Sequence, residues 1–143
     1  MDNQIIIYRD DNFIASQCRS CNIPGYIILE PIENIYFLHN LNADSLNSLI
    51  VILAKVEEVI CRTIKPENIY IAKFGEECLK VHFHIFPRTK EITEKYLKQH
   101  SNKNNLNGPQ IFDWARREYK LTETHLSKKV IETANLLKIN MYV

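Results

Sequence analysis

The sequence predicts an α+β fold: a mostly antiparallel sheet of about five strands, one long helix, and further helices towards the carboxy terminus. Three observations predict it. Short β-branched runs separated by turn residues fill the amino-terminal third. An apolar stripe at close to 3.6-residue spacing follows, from Leu46 to Ile64. A second group of alternating runs comes after it and ends near Arg88.

Gln4-Ile5-Ile6-Ile7-Tyr8-Arg9 reads as a strand, Asp10-Asp11-Asn12 as a turn and Phe13-Ile14-Ala15-Ser16 as the return strand of a hairpin. Pro24-Gly25 punctuates the chain before a third strand, Tyr26 to Glu30, which is apolar on both faces and therefore central; Pro31 ends it. Asn42 caps the long helix and Asp44 occupies its first turn. Leu46, Leu49, Ile50, Leu53, Ile60 and Ile64 form its core stripe, and Lys65-Pro66 closes it. Asn68 to Phe74 is the next strand, Gly75-Glu76-Glu77 a turn, and Lys80 to Phe86 a strand that Pro87 is expected to stop, having no N–H to donate. Beyond Arg88 the pattern gives a short helix from Glu91 to Lys98 and a loop from Ser101 to Gly108. A helix started by Pro109 follows, carrying Ile111, Phe112, Trp114 and Ala115, and the last helix runs from about Glu123 to Leu137.

At 143 residues, 45% hydrophobic and 24% charged, the chain reads as one domain, 1–143, with a core over about 5–88 and a helical extension over about 89–143. No apolar run approaches the roughly 18 residues needed to cross a bilayer. The polar start Met1-Asp2-Asn3-Gln4 does not resemble a secretory leader, so a cytoplasmic protein with no membrane partner is expected. The four cysteines do not form a disulfide framework, which points to a reducing compartment. Residues 1–87 carry 7 basic and 11 acidic side chains, a net −4, and residues 88–143 carry 11 and 6, a net +5. That bias is too weak for a nucleic-acid-binding protein.

The chemistry concentrates at Lys80-Val81-His82-Phe83-His84-Ile85-Phe86-Pro87-Arg88. Residues two apart on a strand share a face, with Cα atoms roughly 6.5 to 7 Å apart, so both imidazoles can address one small substrate or one ion. Three readings are open. The histidines are structural; or they bind a divalent metal, with Cys18 and Cys21 completing a Cys2His2 set that Lys80 would disfavour by repulsion; or one attacks phosphorus while its neighbour donates to the phosphoryl oxygens. Cys78, without a neighbouring base, reads as a buried thiol, and His39, His100 and His125 as surface residues.

This stretch resembles the motif of the histidine-triad superfamily of nucleotide hydrolases and transferases: His-x-His-x-His, two apolar residues, then commonly Pro-Arg. The likeness extends upstream to Tyr8-Arg9-Asp10-Asp11-Asn12-Phe13-Ile14-Ala15 and to Pro24-Gly25-Tyr26-Ile27-Ile28-Leu29-Glu30-Pro31, covering about residues 5–88. It implies that His82 is the nucleophile and His84 the phosphoryl-oxygen partner. His82 would attack the α-phosphorus of a nucleotide derivative such as a phosphoramidate or dinucleoside polyphosphate, and water would cleave the nucleotidyl-histidine.

The resemblance further implies that Lys80, Arg88 or backbone N–H groups near Gly75 supply compensating charge, and that Phe13, Tyr26, Leu29 and Pro31 wall a base pocket. A nucleotide or nucleotide-conjugate substrate, a homodimer, and no required cofactor or metal complete the expectation. Two departures stand out. Lys80 occupies the first histidine's place, and Asn34 sits where Pro-x-x-His often supplies another imidazole. The alternatives are a nucleotide-binding module with little turnover, or a zinc-binding protein.

Overall fold

A computed structural model describes residues 5–100 and 105–143 of the chain. Its strands are β1 (Ile6–Arg9), β2 (Phe13–Gln17), β3 (Ile27–Pro31), β4 (Asn68–Ala72) and β5 (Phe83–Arg88), and its helices are α1 (Ala43–Ile64), α2 (Lys90–Gln99), α3 (Gly108–Glu118) and α4 (Lys128–Met141). The strands form one sheet in the order β1-β2-β3-β5-β4, with every neighbouring pair antiparallel, so the α+β class read from the sequence holds. Gln4 of the expected first strand and Ser101 to Asn104 of the expected loop lie outside the described residues.

Local chemistry sets the boundaries. Asp10 Oδ1 accepts from the backbone N–H groups of Asn12 and Phe13 at 2.8 and 2.7 Å, which turns the chain between β1 and β2. Asn42 caps α1 by accepting from Ser45 N at 2.8 Å, and Lys65 ends it in the left-handed conformation at φ 54° before Pro66.

The alternation of side chains gives the sheet two different faces. Phe13, Ala15, Ile27, Leu29 and Ile85 lie in one core with α1 and α4, against Val56, Ile60, Ala134 and Leu137. Tyr26 and Phe86 lie in the other with Ile92 and Tyr96 of α2 and Ile111, Phe112 and Trp114 of α3.

Several expectations are corrected. Ile50, placed in the core stripe of α1, is exposed, and Ile52, Val56 and Val59 are buried along that helix instead. The ladder does not stop at Pro87: β5 pairs with β4 through Ile69↔Pro87 and Asn68↔Arg88. Its pairing with β3 has already ended at Ile27↔Ile85, so β5 is there bordered on one side only, where proline is tolerated. The strand starts at Phe83, leaving His82 just ahead of it, and β4 ends at Ala72, not Phe74. The last helix begins at Lys128, because Ser127 caps it by accepting from Val130 N while its own N–H donates to Asn22 Oδ1 at 2.9 Å. Finally, Cys78 is exposed, lying in the irregular stretch between β4 and β5.

Candidate functional site

Two imidazoles with ring centroids 4.9 Å apart form the centre of a cavity of about 620 Å3, a volume in the range of small-molecule sites. His82 is half-buried and His84 is buried. β5 aims His84 off the sheet face opposite α1, while His82 reaches the same space from the segment that leads into the strand.

Each ring has one nitrogen tied down. His82 Nδ1 lies 2.7 Å from the Lys80 carbonyl oxygen. A carbonyl only accepts, so Nδ1 carries a hydrogen, and in the neutral tautomer of this ring the lone pair is on Nε2. His84 Nδ1 lies 2.6 Å from the Tyr26 hydroxyl. Burial raises the Tyr26 pKa, so the phenol keeps its proton, and donating it to Nδ1 satisfies both buried groups at once. His84 then carries its hydrogen on Nε2. Burial, then the neighbouring charges of His82 and Arg116, lower the His84 pKa to about 4, so the ring is neutral at pH 7. One imidazole thus offers a lone pair and the other an N–H, side by side.

The walls come from four directions. Cys18 and Ser20 lie on the loop after β2; Tyr26, Ile28 and Glu30 belong to the stretch through β3; Phe74 to Cys78 form the loop after β4; Pro109, Phe112, Asp113 and Arg116 lie on α3. Phe74 and Phe112 stack at 6.1 Å between centroids, and each ring lies near His84, at 6.1 and 5.6 Å. Arg116 is the cation in this lining. Its Nε is buried without a hydrogen-bond partner, and among the described residues it makes no ion pair, since Asp113 is taken by Arg117 at 2.8 Å. Glu30, Glu76 and Glu77 give the rim a negative balance.

The structure brings together only some of the residues singled out in the sequence. His82, His84 and Tyr26 line the cavity, with Tyr26 holding His84 in addition to forming a wall. Phe13 and Leu29 are fully buried in the core on the other face of the sheet, because odd positions of β2 and β3 point there, and Pro31 is buried at the end of β3 outside the lining. Asn34 is exposed away from the cavity. Arg88 is turned to Glu67 Oε1 and Thr93 Oγ1, at 2.9 and 2.6 Å, four residues down β5 from His84 and roughly 13 Å along the strand. Lys80 contributes its carbonyl, not its ammonium.

Phe74, Phe112, Glu30 and Arg116 were missed. Phe112 and Arg116 sit four apart on α3 and so share a face, a signal present in the sequence, but nothing there says which face meets the histidines. The Cys2His2 set does not assemble: among the described residues no group of three or more His, Cys, Asp or Glu could hold a metal ion. His39 stacks on Phe37 at the surface and His125 is exposed, whereas His100 is half-buried against Tyr96. Among the described residues no helix is long and apolar enough to cross a membrane.

A family model described as HIT domain matches residues 2–91. Among solved structures, a histidine triad protein from Bradyrhizobium japonicum superposes with a TM-score of 0.69 at 15% identity, over 96% of this chain and 90% of the other. A histidine triad protein from Sinorhizobium meliloti gives 0.67 at 18% identity, over 95% and 88%. The diadenosine triphosphate hydrolase of Plasmodium falciparum, solved with cyclomarin A, gives 0.63 at 15%, over 97% and 77%. At these identities the likeness concerns the fold. No curated protein matches the chain.

Proposed function

Because the chain belongs to the HIT domain family, we propose that it hydrolyses a nucleotide derivative at the α-phosphorus through a nucleotidyl-histidine on His82. The observation that carries this reading is the pair of fixed, opposite tautomers: a lone pair at His82 Nε2 beside a hydrogen at His84 Nε2. In the first step His82 Nε2 attacks phosphorus and the leaving group departs from the opposite side; in the second, water breaks the phosphorus–nitrogen bond and restores the imidazole. The His84 Nε2–H and the Arg116 guanidinium supply donors and charge to the phosphoryl oxygens. Loss of the first histidine leaves this machinery intact, since Lys80 serves through its backbone.

The charge of the cavity favours one leaving-group class. Glu30, Glu76 and Glu77 against the single guanidinium of Arg116 disfavour a chain of phosphates and suit a phosphoramidate whose leaving group is a neutral or cationic amine. Phe74 and Phe112 offer the apolar surface for the nucleoside. A homodimer through α1 and the exposed edge strand β4 fits the exposure of Ile50, Val51 and Ile71.

Turnover of adenosine and guanosine phosphoramidates and of dinucleoside polyphosphates should be measured for the wild type and His82→Asn, with and without chelator. Phosphoramidate hydrolysis that persists in chelator and vanishes in His82→Asn supports the mechanism. Tight binding of adenosine monophosphate with no product from any substrate would instead mean a nucleotide-binding module.

A further inference from the structure

The loop between β2 and β3 carries Cys18-Arg19-Ser20-Cys21, which the hydrolytic reading does not use. Both thiols are free and buried, and they flank the Ser20 hydroxyl, with Sγ to Oγ distances of 3.2 Å for Cys18 and 3.7 Å for Cys21. Only Cys18 of the two lines the histidine cavity; Cys21 lies behind it, with its Sγ donating to the Arg116 carbonyl at 3.4 Å.

The loop is held in one shape. Gln17, itself 1% exposed, donates from Nε2 to the Ile23 carbonyl at 2.9 Å and accepts at Oε1 from Gly25 N at 3.0 Å. Cys18 N donates to the Tyr26 carbonyl at 2.7 Å. On its outer side, Asn22 N donates to the Tyr119 carbonyl and Leu121 N to the Ser20 carbonyl, a bridge that ties Cys21 to Lys120. Two sulfurs three positions apart in the chain are thus preorganised, one opening to a cavity and the other covered.

We propose that Cys18 and Cys21 form a peroxide-reactive dithiol, in which Cys18 meets a hydroperoxide through the histidine cavity and Cys21 resolves it to a disulfide. The Cys18 thiolate attacks one peroxide oxygen; a sulfur–oxygen bond forms, the oxygen–oxygen bond breaks, and the departing hydroxide takes a proton to become water. Cys21 sulfur then attacks Cys18 sulfur, the disulfide forms, and hydroxide leaves with the Cys21 proton as the second water. Two thiols lose two electrons and one hydrogen peroxide gains them.

The electrostatics agree with these roles. The interaction with Cys21 holds the Cys18 thiol below its ordinary range, aided by Ser20 and the Arg116 charge, while the same interaction and burial push Cys21 up. The other two thiols, Cys61 and Cys78, are exposed, and Cys78 reaches the rim of the same cavity.

The test treats the reduced full chain with hydrogen peroxide and follows intact mass and peptide linkage. Expected are loss of two hydrogens, a Cys18–Cys21 linked peptide, recovery with dithiothreitol, and the same result in a Cys61→Ser, Cys78→Ser background. In Cys21→Ser, dimedone should trap a sulfenic acid on Cys18. In the wild type, iodoacetamide should alkylate Cys18 faster than Cys61, by on the order of tenfold at neutral pH. Oxidation confined to Cys61 and Cys78, a Cys18–Cys78 link, or stoichiometric zinc held by the two thiols as purified would each overturn the proposal. Because these readouts are chemical, they stand whether or not the protein turns over a nucleotide.

Discussion

The Tyr26 hydroxyl and His84 Nδ1, 2.6 Å apart and brought together across the β3–β5 pairing, fix which nitrogen of His84 faces the cavity. Removing that hydroxyl frees the ring to flip or change tautomer, so Tyr26→Phe should lower kcat by about 10- to 100-fold with little change in KM. Stability should fall by only about 1 kcal/mol, one net hydrogen bond. Steady-state kinetics beside thermal melting check both numbers, and an unchanged kcat would remove Tyr26 from the positioning role.

His84 also gives the fold a pH dependence. Its pKa is lowered to about 4 by burial first, from an ordinary value near 6.5, so between those values the unfolded chain binds a proton that the folded chain refuses. The stability this ring allows is complete above about pH 6.5 and is lost as pH falls through about 4, amounting to a few kcal/mol at most. Melting temperatures from pH 7 to 4 should show a fall that His84→Gln flattens.

Among the described residues Arg116 has no carboxylate partner, and it lines the same cavity as the two histidines. Arg116→Gln should weaken adenosine monophosphate binding by on the order of tenfold, and Arg116→Lys should recover part of it. The loss should shrink at high salt. Calorimetric titration of the wild type and both variants at two ionic strengths tests this, and equal affinities would take Arg116 out of the phosphate's reach.

Arg88 should behave in the opposite way. Its guanidinium joins Glu67 and Thr93, whose hydroxyl also donates to Glu67 at 2.6 Å, and the cluster pins β5 to α2 and the start of β4. Arg88→Ala should cost about 2 kcal/mol, less than for a fully buried pair because Glu67 is partly exposed, and leave nucleotide affinity unchanged. Chemical denaturation and titration together distinguish this from a binding role.

The elements that local chemistry dictates were legible in the sequence: the Asp10 turn, the Asn42 cap and the Pro109 start of α3. So was the meeting of the two histidines in one space, although His82 reaches it from just ahead of the strand. What escaped depended on partners far along the chain. Arg88 follows the histidines in sequence and still belongs to a structural cluster, since Glu67 and Thr93 claim it. Phe13 and Leu29 are one residue out of phase with the cavity face, and a single position in a strand decides between core and site. The start of α4 was misjudged because Asn22, more than a hundred residues away, holds Ser127 in place as its cap.

The family match ends at residue 91, whereas the wall bearing Phe112 and Arg116 begins at Gly108. The two histidines and the wall that faces them are therefore carried by separate stretches of the chain. Substitutions along α3 can reshape the cavity while the histidines stay as they are. A protein cut at the family boundary would keep His82 and His84 and lose the side of their cavity that Phe112 and Arg116 form.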